Sequence, residues 1–219
     1  MKKDEETNVG STQLTFRNRD TRIAFYELLL ENSLDEVKEV PLPEGFHYVN
    51  YSPGDEKQWI SIEQSAEEFA SREEGERAWA KYFEGRENEL ENRMFFIVNE
   101  AGEKAATASA YYNIYRGDDG VTGWLHWVAV RKEDQGKGLS RPLITHVLRH
   151  MKTLGYQRAI IPTQTTTWLA CRLYLDLGFR PIPENAKSSR TGWRIIRRLT
   201  GHPALSEFGE ADDRELFGR

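Results

Sequence analysis

A glycine-containing loop joins an apolar strand to an amphipathic helix in this sequence and limits the folds that the chain can adopt. The run Gly123–Val130 is a predicted strand. The loop Gln135–Ser140 follows, with glycines at two positions that allow a tight turn and a close approach to a ligand. Apolar side chains then recur every three or four residues from Leu139 to Leu154, which predicts a helix. Amides at the start of such a helix favour an anion such as phosphate.

Predicted strands and helices on either side of this unit complete a domain. Extended runs at 46–50, 93–98 and 105–112 are predicted strands, and the last two form a hairpin. Apolar spacing predicts two helices between the first two runs and a later helix that ends at Gly178. A short buried strand is predicted at 159–161. This order indicates an α/β or α+β domain built on a mixed sheet.

Segments at both ends of the chain extend this central domain. Asp20 can cap a helix that carries Ile23 and Tyr26, although the apolar density there also permits a strand. We therefore expect an N-terminal extension with a helix over residues 1–45 and the main domain over residues 46–183. Residues 184–219 are expected to form a C-terminal extension, in which a helix precedes an acidic tail that is either disordered or an interface.

Composition excludes several classes of protein. The 30 Lys and Arg residues against 35 Asp and Glu give a net charge of −5, which argues against a protein that grips nucleic-acid phosphates. The single cysteine allows no intrachain disulfide, and the N-terminus lacks the apolar stretch of a signal peptide. No run approaches the roughly 18 apolar residues of a membrane span. We therefore expect a cytoplasmic protein.

Two familiar phosphate-binding motifs do not match the glycine loop. A Walker A loop requires Ser or Thr directly after Gly-Lys, where Gly138 stands in this chain. A dinucleotide-binding fingerprint requires a third glycine at the position of Arg141. Neither of these nucleotide-binding classes is therefore indicated.

The loop Gln135-Gly136-Lys137-Gly138-Leu139-Ser140 instead resembles the Arg/Gln-x-x-Gly-x-Gly/Ala pyrophosphate loop of the GNAT N-acetyltransferase superfamily. A second run, from Ala170 to Phe179, is similar to that family's Ala-x-x-Leu-Tyr-x-x-x-Gly-Phe helix end. The resemblance covers residues 46–183. It implies a mixed, mostly antiparallel sheet with a splayed pair of parallel strands, flanked by helices.

The resemblance also implies acetyl-CoA, or another acyl-CoA, as co-substrate in a cleft where strands 124–130 and 159–162 splay apart. Strand backbone would pair with the pantetheine arm and loop amides would hold the pyrophosphate, while Lys137 and Arg141 add positive charge. Thr167 stands where the family often has Asn, and it can donate one hydrogen bond. The implied cofactor-binding residues are Val128, Ala129, Val130, Gln135, Gly136, Lys137, Gly138, Leu139, Ser140 and Thr167.

Acyl transfer to an amine requires a neutral amine, a stabilised oxyanion and a proton for the departing thiolate. Tyr174 matches the family tyrosine that often protonates the thiolate; the alternative is a tyrosine that only packs. A strand amide near Val128 or Ala129 would meet the oxyanion.

The general base is less defined by the sequence. Strict alternation places Trp124, His126, Val128 and Val130 on one face of their strand. His126 has two possible roles. It is a base or water-positioning residue, because its ordinary pKa lies near neutral pH, or it is a structural histidine.

The remaining chemistry-bearing residues favour structural interpretations. Cys171 has no His or Asp beside it and is expected to be a small buried hydrophobe. His146 and His150 share a helix face without a third ligand, so we expect surface residues and no metal.

We thus expect an acyl-CoA-dependent N-acetyltransferase that acts on a primary amine by direct attack in a ternary complex. The acceptor is a small molecule or a protein amine, and a homodimer is compatible with the sequence. Residues 55–93 carry 12 acidic and 6 basic side chains, which would suit a cationic acceptor, although charged helix faces are ordinarily solvated. The alternative is an acyl-CoA-binding sensor or regulatory module without turnover.

Overall fold

One mixed sheet organises the computed structural model, which describes residues 19–116, 118–182 and 187–218. The strands within these ranges are β1 (Glu27–Asn32), β2 (His47–Asn50), β3 (Met94–Val98), β4 (Lys104–Ile114), β5 (Val121–Val130), β6 (Ala159–Gln164) and β7 (Arg180–Pro181). The α-helices are α1 (Glu56–Ser65), α2 (Arg72–Tyr82), α3 (Glu87–Leu90), α4 (Ser140–Thr153), α5 (Trp168–Asp176), α6 (Lys187–Thr200) and α7 (Asp213–Phe217).

The sheet has the order β2-β3-β4-β5-β6-β1-β7. Strand β5 runs parallel to β6, and the other neighbouring pairs are antiparallel. The α/β class with a mostly antiparallel sheet and one parallel strand pair is therefore confirmed. Apolar runs and the turns between them predicted most of these strands correctly.

Strand β1 corrects the expectation of an N-terminal helix and realises the alternative of a strand. Leu28 and Leu30 are buried, whereas their neighbours along the strand are more exposed, so the side chains alternate with a period of two. β1 lies between β6 and β7 in the sheet. Asp20 does not cap a helix; its carboxylate binds the guanidinium of Arg22.

Two apolar layers cover the faces of the sheet. One is centred on α4 and α5 and includes Leu125 and Leu143, together with Trp193 of α6. The other lies beneath α1 and α2 and includes Trp59 and Phe83. The site described below lies where the central strands pass between these two layers.

The C-terminal tail packs against α6, which corrects the expectation of a disordered tail. Helix α7 begins with a capping box between Asp212 and Glu215, and its Leu216 is buried. Arg194 of α6 binds the carboxylate of Glu215 at 2.5 Å. Within the described ranges, no helix is long and apolar enough to cross a membrane.

Candidate active site

The two central parallel strands separate soon after they begin to pair. β5 and β6 pair only at Gly123 with Ala159 and at Trp124 with Ile160. Beyond these pairs the strands diverge, and a cleft of about 1060 Å³ opens between them. A splayed parallel pair is what the resemblance implied, and it leaves one backbone edge of β5 without a neighbouring strand.

A β-bulge interrupts β5 at the mouth of this cleft. His126 lies opposite Ser109 and Ala129 opposite Thr107, so Trp127 and Val128 together face Ala108. The backbone of Trp127 has a φ of +52°, in the left-handed region that a bulky residue rarely adopts.

The bulge corrects the predicted alternation of β5. Val128 and Val130 pack with Leu125 on the α4 side of the sheet. His126 contacts Tyr82 on the opposite face, so the four residues predicted to share a face are divided. Strict alternation fails because the bulge inserts one extra residue, which reverses the direction of every later side chain.

The glycine loop leads directly from β5 to the start of α4. Gly136 and Gly138 both have a φ of +80°, a conformation that favours glycine. Helix α4 begins at Ser140 without a side-chain cap, so its first amides remain open toward the cleft. Free amides at a helix N-terminus, combined with the helix dipole, form a suitable binding site for a phosphate group.

Nine of the ten predicted cofactor-binding residues line the cleft, and Lys137 is the exception. The ammonium of Lys137 instead binds the carboxylate of buried Asp134 at 2.7 Å, and Arg131 binds the same carboxylate at 2.6 Å. Lys137 therefore holds the loop together. Arg141 does line the cleft, where it pairs with Asp176 at 2.5 Å.

Two side chains of these cofactor-binding candidates already form hydrogen bonds within the protein. The side-chain amide of Gln135 donates to the carbonyl oxygen of Val130 at 3.1 Å. The Thr167 hydroxyl donates to the carbonyl oxygen of Gln164 at 3.0 Å. Thr167 thus keeps only an acceptor lone pair for a ligand, unless it exchanges this bond.

Tyr174 of α5 lies in the wall of the cleft and is 7% exposed. Burial raises the pKa of its phenol, and the negative charges of Glu68 and Glu63 raise that pKa further. The phenol is therefore protonated at neutral pH, and it can donate its proton to a stronger base.

His126 lies in the same cleft but is enclosed by aromatic rings. Its ring stacks on Tyr111 at 5.1 Å and meets Tyr82 edge-on at 5.0 Å. Burial, and then the charge of Lys81, lowers the pKa of His126 to about 4. The imidazole is therefore neutral at neutral pH.

Sequence reasoning missed the carboxylates that also line the cleft, among them Glu63 of α1 and Glu68 just beyond it. Glu63 is completely buried, and neither of its carboxylate oxygens has a hydrogen-bond partner among the described residues. Burial, with the charge of Glu68, raises its pKa well above the usual range. One signal was available: Glu63 lies four residues after Trp59, on the apolar face of the helix.

The other candidates have structural environments. Cys171 is fully buried, as expected, and burial raises the pKa of its thiol to about 12. His146 stacks on Tyr48 at 4.0 Å, and His150 meets Phe95 edge-on. Across the described residues, no group of three or more His, Cys, Asp or Glu side chains is placed to hold a metal ion.

Curated proteins with similar sequences are acetyltransferases. A mycothiol acetyltransferase from Thermobispora bispora is 29% identical over 142 residues, which cover 63% of this chain and 48% of that protein. A mycothiol acetyltransferase from Beutenbergia cavernae is 26% identical over 151 residues, which cover 67% of this chain and 49% of that protein. The chain thus spans about half the length of these relatives.

Solved structures and a family model point the same way. A GCN5-related N-acetyltransferase from Sphaerobacter thermophilus shares the fold with a TM-score of 0.57 and 21% identity, over 74% of this chain and 50% of that chain. An acetyltransferase from Colwellia psychrerythraea gives a TM-score of 0.53 and 14% identity, over 74% and 55% of the two chains. The model described as the acetyltransferase (GNAT) family matches residues 57–179. The chain therefore belongs to the GNAT acetyltransferase family.

Proposed function

We propose that this chain is an N-acetyltransferase that moves an acetyl group from acetyl-CoA to a primary amine by direct attack in a ternary complex. The observation that carries this proposal is the cleft between β5 and β6. It joins an open strand edge, an uncapped helix N-terminus and a protonated tyrosine in one space.

The residues of the cleft fit acetyl-CoA. The unpaired edge of β5 at Val128 and Ala129 suits the amide-containing pantetheine arm, which can add to it as an extended strand does. The amides of Gly136, Gly138, Leu139 and Ser140 suit the pyrophosphate, and Arg141, which pairs with Asp176, lies beside them. Acetyl-CoA, when bound, supplies a thioester carbonyl as the electrophile.

This chain's groups can assist both halves of the transfer. A backbone amide of β5 near the bulge at Val128 would stabilise the developing oxyanion. Tyr174 would donate its phenolic proton to the departing sulphur. His126 is neutral and lines the same cleft, which suits a water-positioning role better than proton abstraction.

The names of the curated relatives support acetyl transfer but leave this chain's acceptor open. Both are called mycothiol acetyltransferases, and the match spans about half of each. We therefore assign the acceptor only as a primary amine, and the acidic segment 55–93 supports a cationic one.

Calorimetry and initial rates test this function together. We expect acetyl-CoA to bind, and thiol release to depend on an added amine with intersecting double-reciprocal lines. Parallel lines would contradict direct attack in a ternary complex. Acetyl-CoA binding without amine-dependent thiol release would favour the sensor, and absence of binding would contradict both functions.

A further inference from the structure

The carboxylate of Glu63 is the least explained polar group of the cleft. Its side chain is completely buried, and neither oxygen has a hydrogen-bond partner in the described part of the chain. A buried carboxyl without a partner destabilises a folded protein, because it loses its hydration and gains nothing in return. A group kept under these conditions in the wall of a ligand cleft is a candidate for ligand binding.

The chain beyond α1 brings a second carboxylate to the same place. Glu67 adopts a left-handed conformation with a φ of +66°, and the amide of Glu68 then donates to the carbonyl oxygen of Glu63 at 3.0 Å. Both Glu63 and Glu68 line the cleft. The guanidinium of Arg19 lies 3.8 Å from the carboxylate of Glu68, which is too long for a strong ion pair.

Aromatic rings in the wall of the same cleft also attract cations, and the ammonium of Lys81 already lies over the Tyr82 ring at 4.9 Å. Tyr82 and Trp127 line the cleft, and their rings meet at 5.4 Å. Aromatic faces attract ammonium groups through their quadrupoles. Tyr174 lines the same cleft, so these carboxylates share it with the group that we assign to the leaving thiolate.

We propose that Glu63 binds the ammonium group of a cationic primary-amine acceptor, with Glu68 beside it, and accepts a proton from that group as the general base. This inference rests on the proposed function. It makes α1, rather than a histidine of β5, the source of the base.

The proton balance of the transfer is complete with these groups. An N–H bond of the ammonium breaks and an O–H bond forms on Glu63, which frees the nitrogen lone pair. The nitrogen forms a bond to the thioester carbon, and the C–S bond then breaks. Tyr174 gives its proton to the sulphur and recovers one from the new amide nitrogen. Glu63 returns its proton to solvent, so one proton is released for each acetyl group transferred.

Calorimetry at neutral pH with three amines of different bulk tests the binding step. The probes are n-hexylamine, 2-phenylethylamine and glucosamine, each compared with its uncharged hydroxyl analogue, with and without CoA. We expect at least one amine to bind at least 10-fold more tightly than its analogue. We expect this preference to fall at least 10-fold in Glu63→Gln. Glu67→Gln is the matched control, because Glu67 is an exposed neighbour that pairs with Lys132.

The possible outcomes separate this inference from the proposed function. Equal binding of each amine and its analogue by the unmodified protein would overturn the inference, even if Glu63→Gln failed to fold. An undiminished preference in a folded Glu63→Gln protein would also overturn it. Amine-dependent thiol release that is unchanged in Glu63→Gln would leave the proposed function standing and remove Glu63 from it. Selective amine binding that depends on Glu63, without thiol release, would support the binding role of Glu63 and contradict the proposed function.

Discussion

His126 and Glu63 show at the residue scale how one environment shifts two pKa values in opposite directions. Burial disfavours the charged form of each group, so it lowers the pKa of the imidazole and raises that of the carboxyl. A pKa of about 4 lies about 6 pH units below that of an alkylamine, so moving a proton from the ammonium to His126 costs about 8 kcal/mol. The raised pKa of Glu63 makes that transfer less unfavourable.

The lowered pKa of His126 predicts a loss of stability in acid. Unfolded chains bind a proton at His126 below about pH 6.5, whereas the folded protein does so only near pH 4. Between these values the unfolded state binds more protons, so the free energy of unfolding decreases as the pH falls. Urea unfolding should show that the change from pH 7 to pH 4.5 lowers the free energy of unfolding by about 2 to 3 kcal/mol more in the unmodified protein than in His126→Gln. Equal decreases in the free energy of unfolding would contradict the lowered pKa of His126 in the folded protein.

Removal of the Tyr174 hydroxyl should affect turnover more than cofactor binding. Without a general acid the thiolate leaves unprotonated, and kcat in Tyr174→Phe should fall about 100-fold or more. The affinity for acetyl-CoA, measured by calorimetry, should change less than about 3-fold because the ring remains. Tyr112→Phe is the control, since that hydroxyl binds Glu89 and lies outside the cleft. An unchanged kcat in Tyr174→Phe would assign the acid elsewhere.

At the scale of elements, the turn from β5 into α4 sets the proposed anion site through backbone conformation. Asp134 fixes that turn from within, since it binds both Arg131 and Lys137. The total charge of the chain is −5, yet the uncapped start of this helix suits the proposed anion site. We therefore expect local geometry to matter more for anion binding than net charge does.

Alanine at Gly138 should weaken acetyl-CoA binding. Its φ of +80° costs an L-residue about 1 to 2 kcal/mol, so the loop should relax and move its amides. We expect the Kd for acetyl-CoA to rise about 10-fold in calorimetry. Gly102→Ala is a matched control, because Gly102 has the same φ of +80° in the β3–β4 turn and does not line the cleft. Equal effects of both variants on Kd would contradict a specific role of the loop.

The sequence correctly predicted the elements whose structure depends mainly on residues close together in the chain. The loop from Gln135 to Ser140 and the α4 periodicity were sufficient for their own structures. The expectation of a helix in place of β1 was wrong because this strand depends on pairing with β6, more than 100 residues away in the chain. The bulge at Trp127 and the burial of Glu63 depend on tertiary contacts, so neither could be obtained from alternation or from charge counting.

At the scale of the whole molecule, both ends of the chain contribute to the core that supports the cleft. Leu28 of β1 and Trp193 of α6 belong to the same apolar layer as Leu125 of β5. The proposed boundaries at residues 45 and 183 therefore separate stretches of chain that share one sheet or one apolar layer. Changes in either end segment should affect the stability of the whole.

Truncation of Leu28 tests this shared core. The side chain is 2% exposed, and Leu28→Ala should lower the free energy of unfolding by about 2 to 5 kcal/mol in a single urea transition. Phe25→Ala is the control, because Phe25 is 60% exposed just before the same strand, and its change should stay within about 0.5 kcal/mol. A second, separate transition would indicate that the end segment unfolds independently.

The stoichiometry of one reaction tests whether the cleft between β5 and β6 carries out acetyl transfer. The protein is mixed with acetyl-CoA and a panel of primary amines, and both free thiol and N-acetylated amine are measured. Acetyl transfer at this cleft predicts one molecule of N-acetylated product for each thiol released, with neither formed when the amine is omitted. Binding of acetyl-CoA without any N-acetylated product would contradict the claim.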